Sequence, residues 1–459
     1  MHFDLIVIGA GSGGVRAARL AAQDGQRVAL IEDGMLGGTC VNLGCIPKKL
    51  YVNAGLFDHY RQLAADYGWQ IARGSFSLAR LQAAKDEEIK RLQSVYRANA
   101  EKAGVVIFDG KAGFIGAARV RVGAQQLTAE KFLLATGTRS TMPEDFPGIE
   151  LAHNSDAVFA LDAVPERVLV YGGGYIAVEL AGVLGRFGAK VDLVYRGERI
   201  LKNFDLDLTR ALQDMLPYSS VRLHLRTQVQ ELQQQGDHIV AITNTAKKIK
   251  SDFVLFALGR HANIADLGLT GACGSEKGNQ LRLTPAGFIQ VGDDYHTSIP
   301  GIYALGDVIG TPQLTPMAIA QAMDFCAKHY AVAAPAMPRY IPTTVFTHPP
   351  LGTVGAQEHQ LRAQKCAYHC YSGSFTPLHL VLGQHPEKVH YKILVEQATD
   401  LVVGVHMLGD HAGEIMQTMA AAMESGITKT QLDRTLAIHP TIAEELVTSY
   451  QPNYSWTPE

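Results

Sequence analysis

The stretch FDLIVIGAGSGG, residues 3–14, decides the fold. Residues 3–8 are largely apolar and β-branched, the pattern of a strand buried in a parallel sheet. Glycines follow at Gly9, Gly11 and Gly14. In that spacing one glycine makes a tight turn, one lets backbone approach a pyrophosphate, and one lets helix and strand pack closely. Ser12 and Gly13 complete the turn, and VRAARLAAQDG reads as a helix stopped by Gly25. RVALIE, 27–32, is the next strand and ends on Glu32, placed to accept hydrogen bonds from a ribose. The whole is a βαβ unit that seats a diphosphate on a helix N-terminus.

The same grammar returns further along the chain. RVLVYG, 167–172, is a strand, GGGYIA a turn, VELAGVLGRFG a helix stopped by Gly188, and KVDLVYR, 190–196, the closing strand. The second cradle is Gly172-x-Gly174-x-x-Ala177, with alanine at the last position. Its second strand ends on Arg196, where an acid would repel a 2′-phosphate and an arginine can pair with it. Lys202 adds a second positive charge. The favoured ligand here is NADPH; the alternative is a pair of solvated surface cations. The acid-ended first cradle suits FAD, supported by Gly306-Asp307, whose carboxylate can meet ribityl hydroxyls.

The remainder fits a chain with more than one core, as 459 residues require. A long amphipathic helix is expected over 78–103, packed on the first sheet. KFLLATGT (131–138), DFVLFALGR (252–260) and GIYALGDV (301–308) read as apolar strands ending in glycine turns. AVAAPAMPR, 331–339, reads as a linker, and an α+β domain follows. The expected division is 1–137 for FAD, 138–262 for NADPH, 263–338 returning to the first domain, and 339–459 as a dimerisation domain. The fold class is therefore α/β, with two Rossmann-like dinucleotide-binding domains and a C-terminal α+β domain.

A net charge of −3 leaves no basic footprint for nucleic acid or a membrane surface. The N-terminal apolar run breaks at Gly9, short of a membrane span, and carries no signal-peptide pattern. Six scattered cysteines do not make a secreted scaffold, so a reducing cytoplasm is expected.

Two of those cysteines, Cys40 and Cys45, stand in GGTCVNLGCIPKK, residues 37–49. No second Cys/His pair at finger spacing follows them, which argues against zinc. Cys366-x-x-His369-Cys370 is faintly metal-like but lacks a matching partner, so no metal is expected. A disulfide between Cys40 and Cys45 needs a distorted helical turn, which Gly44 permits. Lys48 and Lys49 favour thiolate over thiol. Together these features favour a redox disulfide beside a flavin.

These motifs, with ALGD and the C-terminal HPTIAEEL, resemble the flavoprotein disulfide reductases over essentially the whole chain. Among them the pattern is most similar to members that reduce glutathione disulfide. The resemblance implies electrons passing from NADPH through FAD to a Cys40–Cys45 disulfide. Cys45 would be the charge-transfer thiol facing the flavin and Cys40 the interchange thiol. His439 would be the acid/base, oriented by Glu444 and reaching the site of the other subunit of a homodimer. Lys48 and Glu179 would form an ion pair near the flavin N5 and the nicotinamide. Thr39, Thr136, Gly137, Asp307 and Thr315 would join the first cradle in holding FAD. Tyr175, Ile176, Gly259 and Arg260 would join Arg196 and Lys202 at NADPH, with Tyr175 as a gate over the flavin.

Arg16, Arg19, Val95, Tyr96 and Asn99 would line the substrate site, the two arginines suiting the carboxylates of oxidised glutathione. Met323 departs from the pattern, standing where some members place a carboxylate-binding arginine. Ala262 departs where proline is common. No cysteine follows Cys370, which excludes relatives that depend on C-terminal cysteines. The remaining alternatives are another small disulfide, such as a glutathione amide or a trypanothione-like compound, and a non-catalytic flavin-binding module.

Overall fold

The computed structural model describes residues 1–72, 74–269, 280–310 and 312–458. Part of the segment 263–338 therefore lies outside the described residues. The chain divides into two compact units, residues 1–50, 79–141 and 259–337 in the first and the remainder in the second.

The first unit begins with β1 (His2–Ile8), α1 (Ser12–Gln23) and β2 (Val28–Glu32). A short helix α2 (Gly38–Asn42) and a long helix α3 (Cys45–Asp66) follow; the first residues of α3 group with this unit and the rest with the second. Next come α4 (Leu78–Lys102), β3 (Val106–Asp109), β4 (Ala112–Gly116), β5 (Arg119–Val122), β6 (Gln125–Leu134) and β7 (Thr138–Ser140). The sheet order is β3-β2-β1-β6-β5-β4. β1 pairs in parallel with β2 and β6, as a βαβ unit requires. β4, β5 and the start of β6 instead form an antiparallel meander, an insertion that the apolar pattern did not announce. Leu5, Ile6 and Val7 are fully buried, the double-sided burial expected of a central parallel strand.

The second unit repeats the motif with β8 (Arg167–Tyr171), α5 (Tyr175–Arg186) and β9 (Lys190–Val194), followed by α6 (Leu206–Met215) and β10 (Val221–His224). A meander of β11 (Val229–Gln235), β12 (His238–Thr243) and β13 (Lys248–Ser251) precedes β14 (Phe253–Phe256). The parallel sheet runs β10-β9-β8-β14.

The chain then re-enters the first unit. β15 (Arg260–Ala262) pairs with β7, β16 (Ile302–Ala304) adds to β6 in parallel, and α7 (Thr315–His329) packs beside α1. The last segment returns to the second unit with β17 (Thr343–Val345), β18 (Leu351–Gly355), β19 (Tyr368–Phe375), β20 (Val389–Glu396), β21 (Val402–Leu408) and β22 (Tyr454–Trp456). They form one antiparallel sheet in the order β17-β18-β21-β20-β19-β22, with the helix Ala412–Glu424 across its β18–β21 part. Both Rossmann-like sheets and the C-terminal α+β layer match the expected fold class.

Candidate active site

The first cradle is built by close backbone approaches. Gly9 has φ +105°, and a methyl group there would sit 2.4 Å from the Ala135 carbonyl oxygen. One on Gly14 would sit 1.9 Å from the Gly9 carbonyl, so only glycine fits. A Cβ on Gly13 would meet Leu305 and Ala318. Gly11 caps α1 without a side-chain acceptor, and the first turn holds no acid. The amides of Ser12 and Gly13 are thus left for an anionic group. Glu32 is fixed beside them, its carboxylate accepting the Ala10 N–H at 2.6 Å and the Gly34 N–H at 2.9 Å. Burial raises its pKa.

Other groups in the same unit fit a flavin dinucleotide. Thr136 has a buried hydroxyl without a protein partner. Gly137, at φ +66°, is held by Asn263, which donates its backbone N–H to the Gly137 carbonyl and its amide to the Thr136 carbonyl. Asp307 follows the αL residue Gly306, and burial pushes its carboxyl up. An unpartnered hydroxyl, a turn without a cap acceptor and two shielded carboxylates suit diphosphate, ribose and ribityl groups.

The cysteine loop lies against this cradle. Gly37 and Gly38 are both left-handed, with φ +98° and +62°. The Gly37 N–H donates to the Ala10 carbonyl, and a Cβ on Gly38 would lie 2.7 Å from the Gly11 Cα. Asn42, buried, donates to the carbonyls of Met35, Leu36 and Gly38, while Gln93 on α4 donates to Asn42. Helix α2 ends at Leu43, whose φ of −139° breaks the helix before α3 starts at Cys45. A Cβ on Gly44 would sit 2.8 Å from the Thr39 carbonyl. The required distortion is thus a break between two helices.

Cys40 is half-buried and Cys45 exposed, and their sulfurs hydrogen-bond each other. The Thr315 hydroxyl, at the start of α7, lies 3.9 Å from the Cys45 sulfur. The Cys40 thiol is held well above its usual range, first by its hydrogen bond to Cys45 and then by burial. The sequence reading expected Lys48 and Lys49 to favour thiolate. At Cys40 the neighbouring Cys45 sulfur and then burial act in the opposite direction. Thr39 is exposed and Lys48 half-buried in the first turn of α3.

Tyr96 stands beside Ser12 and Cys40, and burial raises its phenol pKa. Val95 and Asn99 are exposed on the same helix. On α1, Arg16 and Arg19 each have a buried Nε without a partner, and Arg16 Nη2 lies 3.5 Å from the Met323 sulfur. A thioether is a weak acceptor, so these guanidiniums keep donors for carboxylates.

The second cradle repeats the first. Gly172 has φ +153°, and its Cβ would sit 2.3 Å from the Ala257 carbonyl. Gly174 caps α5 with open space around it, Tyr175 is exposed at the helix start, and Ile176 is half-buried. The Tyr195 ring covers Gly173. Arg196 and Lys202 are both exposed. Lys202 is held near the turn because the neighbouring Leu201 N–H donates to the Gly173 carbonyl, with Leu201 at φ +50°. Arg199 clamps this loop through the carbonyls of Lys202 and Phe204. Exposed cations beside an uncapped helix start fit a phosphorylated dinucleotide. Glu179 is buried and accepts the Phe346 N–H at 2.7 Å. Gly259 and Arg260 fall in the first unit, where the Arg260 guanidinium donates to the Thr138 hydroxyl and carbonyl and to Ser140.

Near the C-terminus of the second unit, His439 Nδ1 lies 3.0 Å from a Glu444 oxygen, and Thr441 donates its N–H to the same carboxylate. The hydrogen bond from His439 lowers the Glu444 pKa. The imidazole is 79% exposed, and Leu436 and Ile438 beside it are 92% and 76% exposed. Cys366, His369 and Cys370 are engaged elsewhere: Cys366 with Glu396, His369 with Ser455, and Cys370 buried in the core.

Comparison with known proteins bears on the whole chain. Residues 3–322 match the pyridine nucleotide-disulphide oxidoreductase family, and residues 341–450 match its dimerisation domain. A glutathione reductase of Burkholderia cepacia is 40% identical over 447 residues, covering 97% of this chain and 98% of the relative. One from a Nostoc species is 36% identical over 454 residues, covering 97% and 99%. A chloroplastic/mitochondrial glutathione reductase of Pisum sativum is 34% identical over 464 residues, covering 98% and 82%.

Proposed function

The chain belongs to the pyridine nucleotide-disulphide oxidoreductase family, and from that membership we propose that it reduces glutathione disulfide with NADPH and FAD as a homodimer. One observation carries the reading: the Cys40–Cys45 pair sits on a loop whose Gly38 backbone meets the Gly11 backbone of the first cradle. FAD, when bound, would supply a two-electron carrier between NADPH and the Cys40–Cys45 disulfide.

The chain's own residues are assigned as follows. Gly9, Gly11, Ser12, Gly13, Gly14 and Glu32 hold the dinucleotide part of FAD, with Thr39, Lys48, Thr136, Gly137, Asp307 and Thr315 around the rest. Gly172, Gly174, Tyr175, Ile176, Arg196 and Lys202 hold NADPH, with Gly259 and Arg260 bordering its segment. Glu179 and Lys48 carry the buried charge needed where hydride is transferred. The Cys40 thiolate attacks one substrate sulfur, forming a mixed disulfide and releasing one thiol. Cys45 then attacks Cys40, restoring the intramolecular disulfide and releasing the second thiol. His439, oriented by Glu444, protonates the departing thiolate. It serves the opposite subunit, a reading supported by the exposure of His439, Leu436 and Ile438. Arg16, Arg19, Val95, Tyr96 and Asn99 receive the substrate.

The proposed division keeps FAD at 1–137, NADPH at 138–262, the return at 263–338 and dimerisation at 339–459. The cytoplasm is the proposed compartment, supported by Cys326, Cys366 and Cys370, which stand as thiols outside the redox pair. No helix among the described residues is long and apolar enough to cross a membrane.

The test is steady-state NADPH oxidation with oxidised glutathione, glutathione amide disulfide, trypanothione disulfide and lipoamide compared at equal concentration. Oxidised glutathione should give the highest kcat/KM; a higher value for another disulfide would reassign the substrate. A yellow protein that NADPH fails to bleach would support the non-catalytic alternative.

A further inference from the structure

We propose that His59, His348 and Glu387 form a binding site for a divalent transition-metal ion of the zinc class. One ligand atom from each, two imidazole nitrogens and a carboxylate oxygen, lies within 4.8 Å of the others. All three belong to the second unit, outside the residues assigned to catalysis and cofactor binding. His59 is on α3, His348 precedes β18, and Glu387 precedes β20.

The three groups line one recess with Pro349, Leu380, Val389, Lys388 and Asp410 around them. Glu387 Oε2 is buried there without a hydrogen-bond partner. An unpaired buried carboxylate oxygen is costly and calls for a cation or a donor. The His59 and His348 rings meet edge to face with centroids 4.5 Å apart. Neither imidazole has a hydrogen-bonding partner among the described residues. Their neighbours His379 and His385 are already paired, with Asp410 at 3.0 Å and Asp66 at 2.6 Å.

Charge decides between a cation and an anion. The Arg186 guanidinium acts on both imidazoles and Lys388 lines the recess, and these two cations by themselves would favour an anion. Glu387, Asp410 and Asp58 act on that arginine in turn, and Glu387 would repel an anion from the recess. Two neutral imidazoles and one carboxylate are a ligand set zinc accepts, with a fourth position open to water. Bonds of about 2.0–2.2 Å would draw the three ligand atoms roughly 1 Å closer than their present limit. A bound ion would tie α3 to the ends of two strands.

Zinc content after dialysis against low-micromolar zinc sulfate tests the site. The FAD-loaded protein is kept oxidised, so that Cys40 and Cys45 offer no thiolates. One zinc per chain is expected. His59→Gln and Glu387→Gln should each weaken retention by more than about tenfold, while His369→Gln should retain zinc. Flavin content and turnover with NADPH and oxidised glutathione should stay at wild-type levels in all three, so that loss of zinc is separable from loss of fold. Absence of zinc from the oxidised wild type would overturn the proposal, as would retention equal to wild type in either His59→Gln or Glu387→Gln.

Discussion

Gly38 and Gly11 meet backbone to backbone: a methyl group on Gly38 would lie 2.7 Å from the Gly11 Cα. This contact sets the cysteine loop against the phosphate turn. Gly38→Ala must also place a side chain at φ +62°, a conformation that disfavours alanine by about 1–2 kcal/mol. The variant should fold but purify with reduced FAD, measured as flavin absorbance per chain. Full flavin content with normal turnover would show that the loop and the turn are not coupled.

Cys40→Ser separates the two halves of the reaction. Serine retains the size and the hydrogen bond to Cys45, but its alcohol does not attack disulfides at neutral pH. NADPH should still bleach the flavin in a rapid-mixing experiment, while turnover with oxidised glutathione falls to background. Because the Cys40 thiol is pushed up within the dithiol pair, activity should rise with pH over the alkaline range before other groups fail.

His439→Ala should lower turnover by about 10²–10⁴-fold, the usual worth of a general acid/base, and leave flavin reduction by NADPH untouched. Glu444→Ala should cost less, since it removes the group that orients the ring and not the ring itself. Equal losses from the two substitutions would show that the ring and the carboxylate act as one unit, with orientation as essential as the ring itself.

Much of this was legible in the sequence because glycine leaves a visible mark. Gly9 and Gly172 face carbonyls at nearly the same distance, and both positions were readable from spacing alone. The helix over 78–103 emerged as Leu78–Lys102 because its apolar side repeats at helical intervals. Asn42 and Gln93 were not legible. Their bond joins residues far apart in sequence, and an asparagine between apolar neighbours carries no periodic signal. The His59–His348–Glu387 cluster is hidden for the same reason. The grouping of 142–258 with the C-terminal segment rests on long-range pairs such as Asp205–Lys392, which no local pattern encodes.

Arg196→Glu with Lys202→Glu should change cofactor choice. A charge-assisted hydrogen bond is worth about 1.5–3 kcal/mol, so removing one to a 2′-phosphate raises KM for NADPH by about 10–100-fold. NADH lacks that phosphate and should lose little. Both cations are exposed, so higher salt should narrow the wild-type preference. Parallel losses for the two cofactors would remove Arg196 and Lys202 from phosphate recognition.

Lys392 sets the acid limit of stability. Its ammonium is 2% exposed and touches Asp205 at 2.9 Å, Asp207 at 2.6 Å and Glu358 at 2.6 Å. Asp205 also caps α6 by accepting the Asp207 and Leu208 amides. Burial works to raise the Glu358 pKa, but hydrogen bonds from Lys392, Tyr454 and Tyr368 bring it down to about 2. A carboxyl depressed from its ordinary value of 4.5 contributes stability that is present above that value. The contribution is lost as pH falls toward 2, so wild-type stability should decline across that window. Lys392→Met removes the cation and leaves buried carboxylates facing one another, a loss of about 3–5 kcal/mol near neutral pH. In the variant Glu358 titrates nearer its ordinary value or above it, so its stability should fall less steeply, or rise, on mild acidification. Denaturant midpoints at pH 7 and pH 4 measure both effects. If the two proteins lost stability in parallel between those pH values, the Lys392 cluster would not be the group that titrates.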